Sequence, residues 1–150
     1  MTDSRSLLVG IGSPHGDDRV GWLIARRIGE LLGAHLPVKI ARTPAELLDW
    51  LEGIDTLHVC DAVVDEAAVG TVRCWDWPAR EIECVRFGGS HDIPLMSALA
   101  LAEQLGRLPP KVRIWGVVIG ETRELGSMSS AVTDAVAEIV VQICGTLGHA

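Results

Sequence analysis

The sequence predicts an α/β protein, a three-layer single domain over residues 1–150 with a mainly parallel sheet. Three observations carry that prediction. Its strand-like runs are nearly continuous in apolar residues, as strands covered on both faces are. Amphipathic helical stripes alternate with those runs. The 150 residues, 48% of them hydrophobic, are enough for one sizeable core, and no internal repeat, low-complexity stretch or linker divides them.

Taken in order, strands are expected at residues 7–11, 38–41, 56–60, 71–75, 83–87 and 112–118. Helices fall between them. Val20, Leu23, Ile24, Ile28, Leu31 and Leu32 share one face at helical spacing, and Gly33 follows as a stop. Residues 44–51 make a shorter helix ended by Gly53. Asp92 is placed as an N-cap with Pro94 in the first turn of a helix carrying Leu95, Leu99, Ala102 and Leu105, which closes at Gly106. Met128, Val132, Val136, Ile139, Val140 and Ile143 form the last stripe.

Charge and cysteine usage narrow the class of function. A formal net charge of −7 and the absence of a basic patch argue against a nucleic-acid partner, because phosphate backbones are held by clustered Lys and Arg. Cys60, Cys74, Cys84 and Cys144 show no C-x-x-C spacing, and the chain opens without a secretory leader. No window approaches the roughly 18 uninterrupted apolar residues of a membrane span. The expectation is a soluble, cytoplasmic protein with reduced thiols, working as a monomer and away from membranes.

In α/β sheets ligands bind beyond the carboxyl ends of the strands. Three places qualify: the loop from Gly10 to Asp18, Asp61 after the third strand, and His91 in the turn Gly88-Gly89-Ser90-His91-Asp92. Gly10, Gly12 and Gly16 resemble a dinucleotide loop, but Asp17 and Asp18 occupy the helix end where an anion would sit. Two carboxylates repel a pyrophosphate, and no acidic residue ends the second strand to hold a ribose. The same carboxylates suit a cation. Asp18, Asp61 and His91 supply two oxygens and an imidazole nitrogen, a set that suits nickel or zinc and leaves coordination positions open.

Each also has a plainer reading. Asp17 reads as an N-cap, Asp61 as a turn cap, and loop histidines are commonly solvated; it is the shared placement that points to a site. His15 reads as a substrate or supporting contact or as an exposed loop residue. His58 reads as a satisfied core residue, and His35 and His149 carry no argument. No G-x-S-x-G nucleophile appears, and Cys60 reads as a small buried hydrophobe. Trp75 and Trp77 alternate on one side of an edge strand, as packing residues or a peptide-docking surface.

Together, Gly10-Ile-Gly12 with Gly16-Asp17-Asp18, Asp55-Thr-Leu-His-Val-Cys-Asp61-Ala62-Val63 with Gly70-Thr71-Val72, and Ser90-His91-Asp92 before Ala98-Leu-Ala-Leu-Ala102 resemble the hydrogenase maturation proteases. Glu124-Leu125-Gly126 and Ser129 to Val132 before a closing helix resemble the same family's ending, so the resemblance spans essentially the whole chain. It implies an α/β/α fold with a twisted sheet. It also implies an endopeptidase that removes a C-terminal extension from the large-subunit precursor of a nickel-iron hydrogenase. The catalytic and metal-contacting residues would be Asp18, Asp61 and His91, facing nickel already held by the substrate or another divalent metal in its place.

The sequence departs from the family pattern in three places. Ser13 replaces the usual Asn after the second glycine, in a loop one residue shorter; its hydroxyl still caps the turn but offers no amide. Arg19 stands where Gly often follows the acidic pair, and either tempers the attraction for a metal or reaches a substrate's C-terminal carboxylate. Residues 40–43 read Ile-Ala-Arg-Thr where some members carry an acidic turn, which implies a different substrate preference. Ser13 and Arg19 keep a second reading in play: a non-catalytic, chaperone-like module that binds a metallated hydrogenase subunit without cutting it.

Overall fold

The computed structural model describes residues 5–79, 86–87, 94–120 and 128–147. Its strands are β1 (Ser6–Ile11), β2 (Val38–Ala41), β3 (Thr56–Val64), β4 (Val72–Asp76), β5 (Arg86–Phe87) and β6 (Lys111–Val118), and its helices α1 (Val20–Leu32), α2 (Leu95–Gln104) and α3 (Ser130–Thr146). The sheet order is β2-β1-β3-β6-β4, with β5 paired to β3 off this path. β1 lies parallel to β2 and β3, and β3 parallel to β6, whereas β4 on β6 and β5 on β3 are antiparallel. The mainly parallel α/β architecture read from the sequence is the one found.

Strand alternation assigns the two faces. Leu8, Cys60, Ala62, Trp115 and Val117 pack with Val20, Ile24 and Ile28 of α1 and Val132, Ile139 and Ile143 of α3. Leu7, Val9, Ile11, Leu57, Val59, Val112 and Ile114 pack on the other face with Leu95, Leu99 and Ala102 of α2 and with Leu47 and Leu51. A fully buried aliphatic side chain contributes roughly 1.5–3 kcal/mol over its exposed state. These two clusters, and not the turns, therefore hold the sheet in place.

β1 and α1 approach without intervening side chains. A Cβ on Gly10 would collide with the Gly21 carbonyl and Ala25, and one on Gly21 with the carbonyls of Ile11 and Cys60. Glycine at both positions brings the start of α1 down onto the end of β1 and the middle of β3. That contact fixes where the loop between β1 and α1 is carried.

Several boundaries correct the sequence reading. β3 does not end at Cys60 but runs on to Val64, because Asp61, Ala62 and Val63 pair with Gly116, Val117 and Val118 of β6, and Val63 and Val64 pair with Phe87 and Arg86 of β5. Residues 44–51 form a 3-10 turn, Pro44–Asp49, and not an α-helix; a capping box between Thr43 and Glu46 opens it. The N-cap position of α2 is Pro94, so Asp92 does not hold it. The expected strand at residues 83–87 is described only at Arg86–Phe87, and Asp92 itself lies outside the described residues.

Candidate functional site

The loop after β1 is a tight backbone knot. Ser13 N–H donates to the Asp18 carbonyl at 3.3 Å, and Asp18 N–H to the His15 carbonyl at 3.0 Å. Gly16 has φ of 52°, the left-handed region that a side chain disfavours. At Gly12 a Cβ would lie 2.7 Å from the Asp18 carbonyl oxygen. The glycines therefore fold the chain back so that a 3-10 turn, Gly16–Arg19, presents Asp18 just before α1. The effect is to place a carboxylate beside the start of α1.

The second carboxylate comes from inside the sheet. Asp61 is fully buried, on the α2 face by alternation from Leu57 and Val59. Its Oδ1 accepts the Ala62 N–H at 2.8 Å, while its Oδ2 has no hydrogen-bond partner among the described residues. Asp18 Oδ1 is in the same condition. Burial drives the Asp61 carboxyl well above the usual carboxylate range, and the Asp18 charge raises it further, against the opposing pull of the Ala62 N–H. Buried polar atoms are nearly always paired. Two unpaired carboxylate oxygens whose charges act on each other form the kind of donor set that a cation completes.

Of the three predicted site residues, the structure therefore brings Asp18 and Asp61 into one electrostatic neighbourhood. His91 lies outside the described residues. No group of three His, Cys, Asp or Glu side chains forms a metal site among the described residues. Gly116 is the register partner of Asp61; a Cβ there would press on Val63 and Trp75, so the face beside the carboxylate is kept low. Trp75 and Trp77 pack against the α2-face core, which favours the packing role.

The departures from the family pattern are also visible. Ser13 Oγ accepts the His15 N–H at 3.4 Å, a long bond that serves as the expected turn cap, and His15 is exposed. Arg19 turns its Nε back to the Gly16 carbonyl at 3.3 Å, which ties the cation to its own loop. Asp17 does not cap its own helix. Its Oδ1 accepts the Ser129 N–H at 2.7 Å and its Oδ2 the Ser129 hydroxyl at 3.0 Å, so it clasps the N-cap residue of α3. No sequence signal pointed to this contact.

A family profile described as "Hydrogenase maturation protease" matches residues 42–146. The chain belongs to the hydrogenase maturation protease family. It is therefore a peptidase of hydrogenase maturation, and the non-catalytic reading gives way. The matched span includes Asp61 and position 91, with Asp18 upstream of it. The protease also shares its fold with the hydrogenase maturating endopeptidase HybD from E. coli, at 22% identity over 95% of this chain and 91% of that one, TM-score 0.80. The nickel-iron hydrogenase maturation protease HybD from Thermococcus kodakarensis is similar at 23% identity over 95% and 98%, TM-score 0.71. HycI from Thermococcus kodakarensis KOD1, also a nickel-iron hydrogenase maturation protease, is similar at 21% over 97% and 93%, TM-score 0.67. No curated protein sequence matches the chain, and no described helix is long and apolar enough to cross a membrane.

Proposed function

We propose that this protease removes the C-terminal extension of a nickel-iron hydrogenase large-subunit precursor and recognises it by the nickel already inserted there. The observation that carries the reading is the pair of buried oxygens, Asp18 Oδ1 and Asp61 Oδ2, that have no hydrogen-bond partner among the described residues. Without a cation, the buried Asp61 favours its protonated form and resists charging beside Asp18. A divalent ion brought by the substrate reverses that balance, since opposite charge in a low-dielectric site stabilises both carboxylates. Precursor lacking the metal offers nothing to offset the repulsion.

Asp18 comes from the β1–α1 loop, Asp61 from β3, and His91 from the segment leading into α2 as the third, imidazole, contact. Nickel seated there supplies Lewis-acid chemistry, by polarising a carbonyl or lowering the pKa of a water to about 7. The protein's own residues hold that ion against the peptide to be cut. The protease works as a monomer in a reducing cytoplasm, in keeping with the free thiols of Cys60, Cys74 and Cys144.

The test is incubation with nickel-loaded and nickel-free precursor from the same cell, read by intact mass. Loss of a C-terminal peptide from the nickel-loaded form alone is expected. Asp18→Ala, Asp61→Ala and His91→Ala each reduce that loss on the order of 100-fold or more, the scale of removing a group that stabilises charge at a reacting centre. Equal cleavage of both precursor forms, or full processing by all three variants, overturns the proposal.

A further inference from the structure

A cavity of about 460 Å³ opens at the opposite end of the sheet, where the parallel strands begin, lined among others by Thr56, His58, Asp76, Lys111, Arg113 and Leu147. Its size is that of a small-molecule site. At its inner wall His58 is only 2% exposed. The indole Nε1–H of Trp115 donates to His58 Nδ1 at 3.1 Å, and an indole is only ever a donor. Nδ1 is thus the acceptor, and the imidazole proton sits on Nε2. That Nε2–H is buried and has no partner among the described residues.

A buried N–H donor left unpaired is costly. His58 lines a cavity that also holds two cationic side chains, Lys111 and Arg113, against one carboxylate, Asp76. Arg113 Nε is 2.9 Å from Asp76 Oδ1. The lining side chains therefore carry one net positive charge in a chain whose net charge is −7, enough to offset the negative end of the α3 dipole at Thr146 and Leu147. None of these residues belongs to the Asp18 and Asp61 site.

We propose that this cavity binds a small organic oxyanion, a carboxylate or a phosphate ester, whose oxygens accept the Nε2–H of His58 and face Lys111 and Arg113. The imidazole suits this as a neutral donor. Burial, reinforced by the Arg113 charge, lowers its pKa to about 4, so the tautomer set by Trp115 persists at neutral pH. Thr56, which lines the same cavity, carries a hydroxyl that is a further donor. Because the cavity is separate from the processing site, its occupancy is independent of the nickel reading.

Titration of the full chain with succinate and, separately, glycerol 3-phosphate tests the assignment, followed by calorimetry and by the imidazole nitrogen resonances of His58. One of the two probes is expected to saturate a single site and shift those resonances; which one does so separates carboxylate from phosphate. Lys111→Met, an exposed substitution that leaves the core untouched, is expected to weaken binding about tenfold, the scale of one charge-assisted hydrogen bond. His58→Phe, checked for folding by circular dichroism, weakens it at least as much. Absence of saturation by both probes, saturation without movement of the His58 resonances, or unchanged affinity in Lys111→Met would overturn the proposal.

Discussion

Asp61 trades stability for readiness. Its carboxyl is raised above the ordinary range by burial first and by Asp18 second, so the folded state keeps a proton that the unfolded chain releases at about pH 3.9. Stability from this group is complete below that value and is lost as pH rises through the higher folded-state value. Asp61→Asn removes the loss. Its urea midpoint is expected to exceed that of wild type near pH 7, with the gap shrinking toward pH 4, while processing is abolished. A constant gap across that range would show that Asp61 ionisation is not its source. The identity of Asp61 was legible in the sequence, but its position was not. A carboxylate in an apolar run reads as the end of a strand because buried Asp is rare; here β6 and β5 continue the pairing past it.

Between elements, the acidic loop is fastened at both ends. Gly21 lets α1 sit against β1 and β3, and a methyl group there meets two backbone carbonyls that have no room to yield. Gly21→Ala is expected to cost about 1–3 kcal/mol, the usual range for overpacking, measured by urea unfolding. On the other side Asp17 holds the N-cap residue of α3 with both carboxylate oxygens. Asp17→Ala is expected to cost about 1–2 kcal/mol, as loss of a cap does. Ser129→Ala costs less, because its backbone N–H still reaches Asp17. If Ser129→Ala proved the more damaging of the two, the clasp would not be what Asp17 contributes. The helical stripes of α1 and α3 were readable because their periodicity is local. The clasp joins residues 112 positions apart, and no local pattern encodes it. Likewise, the capping box at Thr43 and Glu46 marks the start of a helical turn but does not decide between 3-10 and α.

Across the whole molecule, the parallel sheet separates two titrating groups with opposite effects. Asp61 lies toward the carboxyl ends of the strands and His58 near their start, in the same strand and three residues earlier. The sequence reading of His58 as a core residue was right about burial and incomplete about satisfaction, since among the described residues only one of its nitrogens is paired. Its folded-state pKa is about 4, lowered from 6.5 by burial and then by Arg113, so the folded state binds fewer protons than the unfolded one over that interval. Stability from neutral His58 is therefore fully present above pH 6.5 and is lost as pH falls toward 4. Asp61 acts in the other direction over part of the same range and masks the slope in wild type. In the Asp61→Asn background the urea midpoint is expected to fall on acidification from pH 6.5 to 4. Adding His58→Leu flattens that fall, even though it lowers stability overall by leaving the Trp115 indole without its acceptor. A fall that persists undiminished in the double variant would place the acid-sensitive group elsewhere.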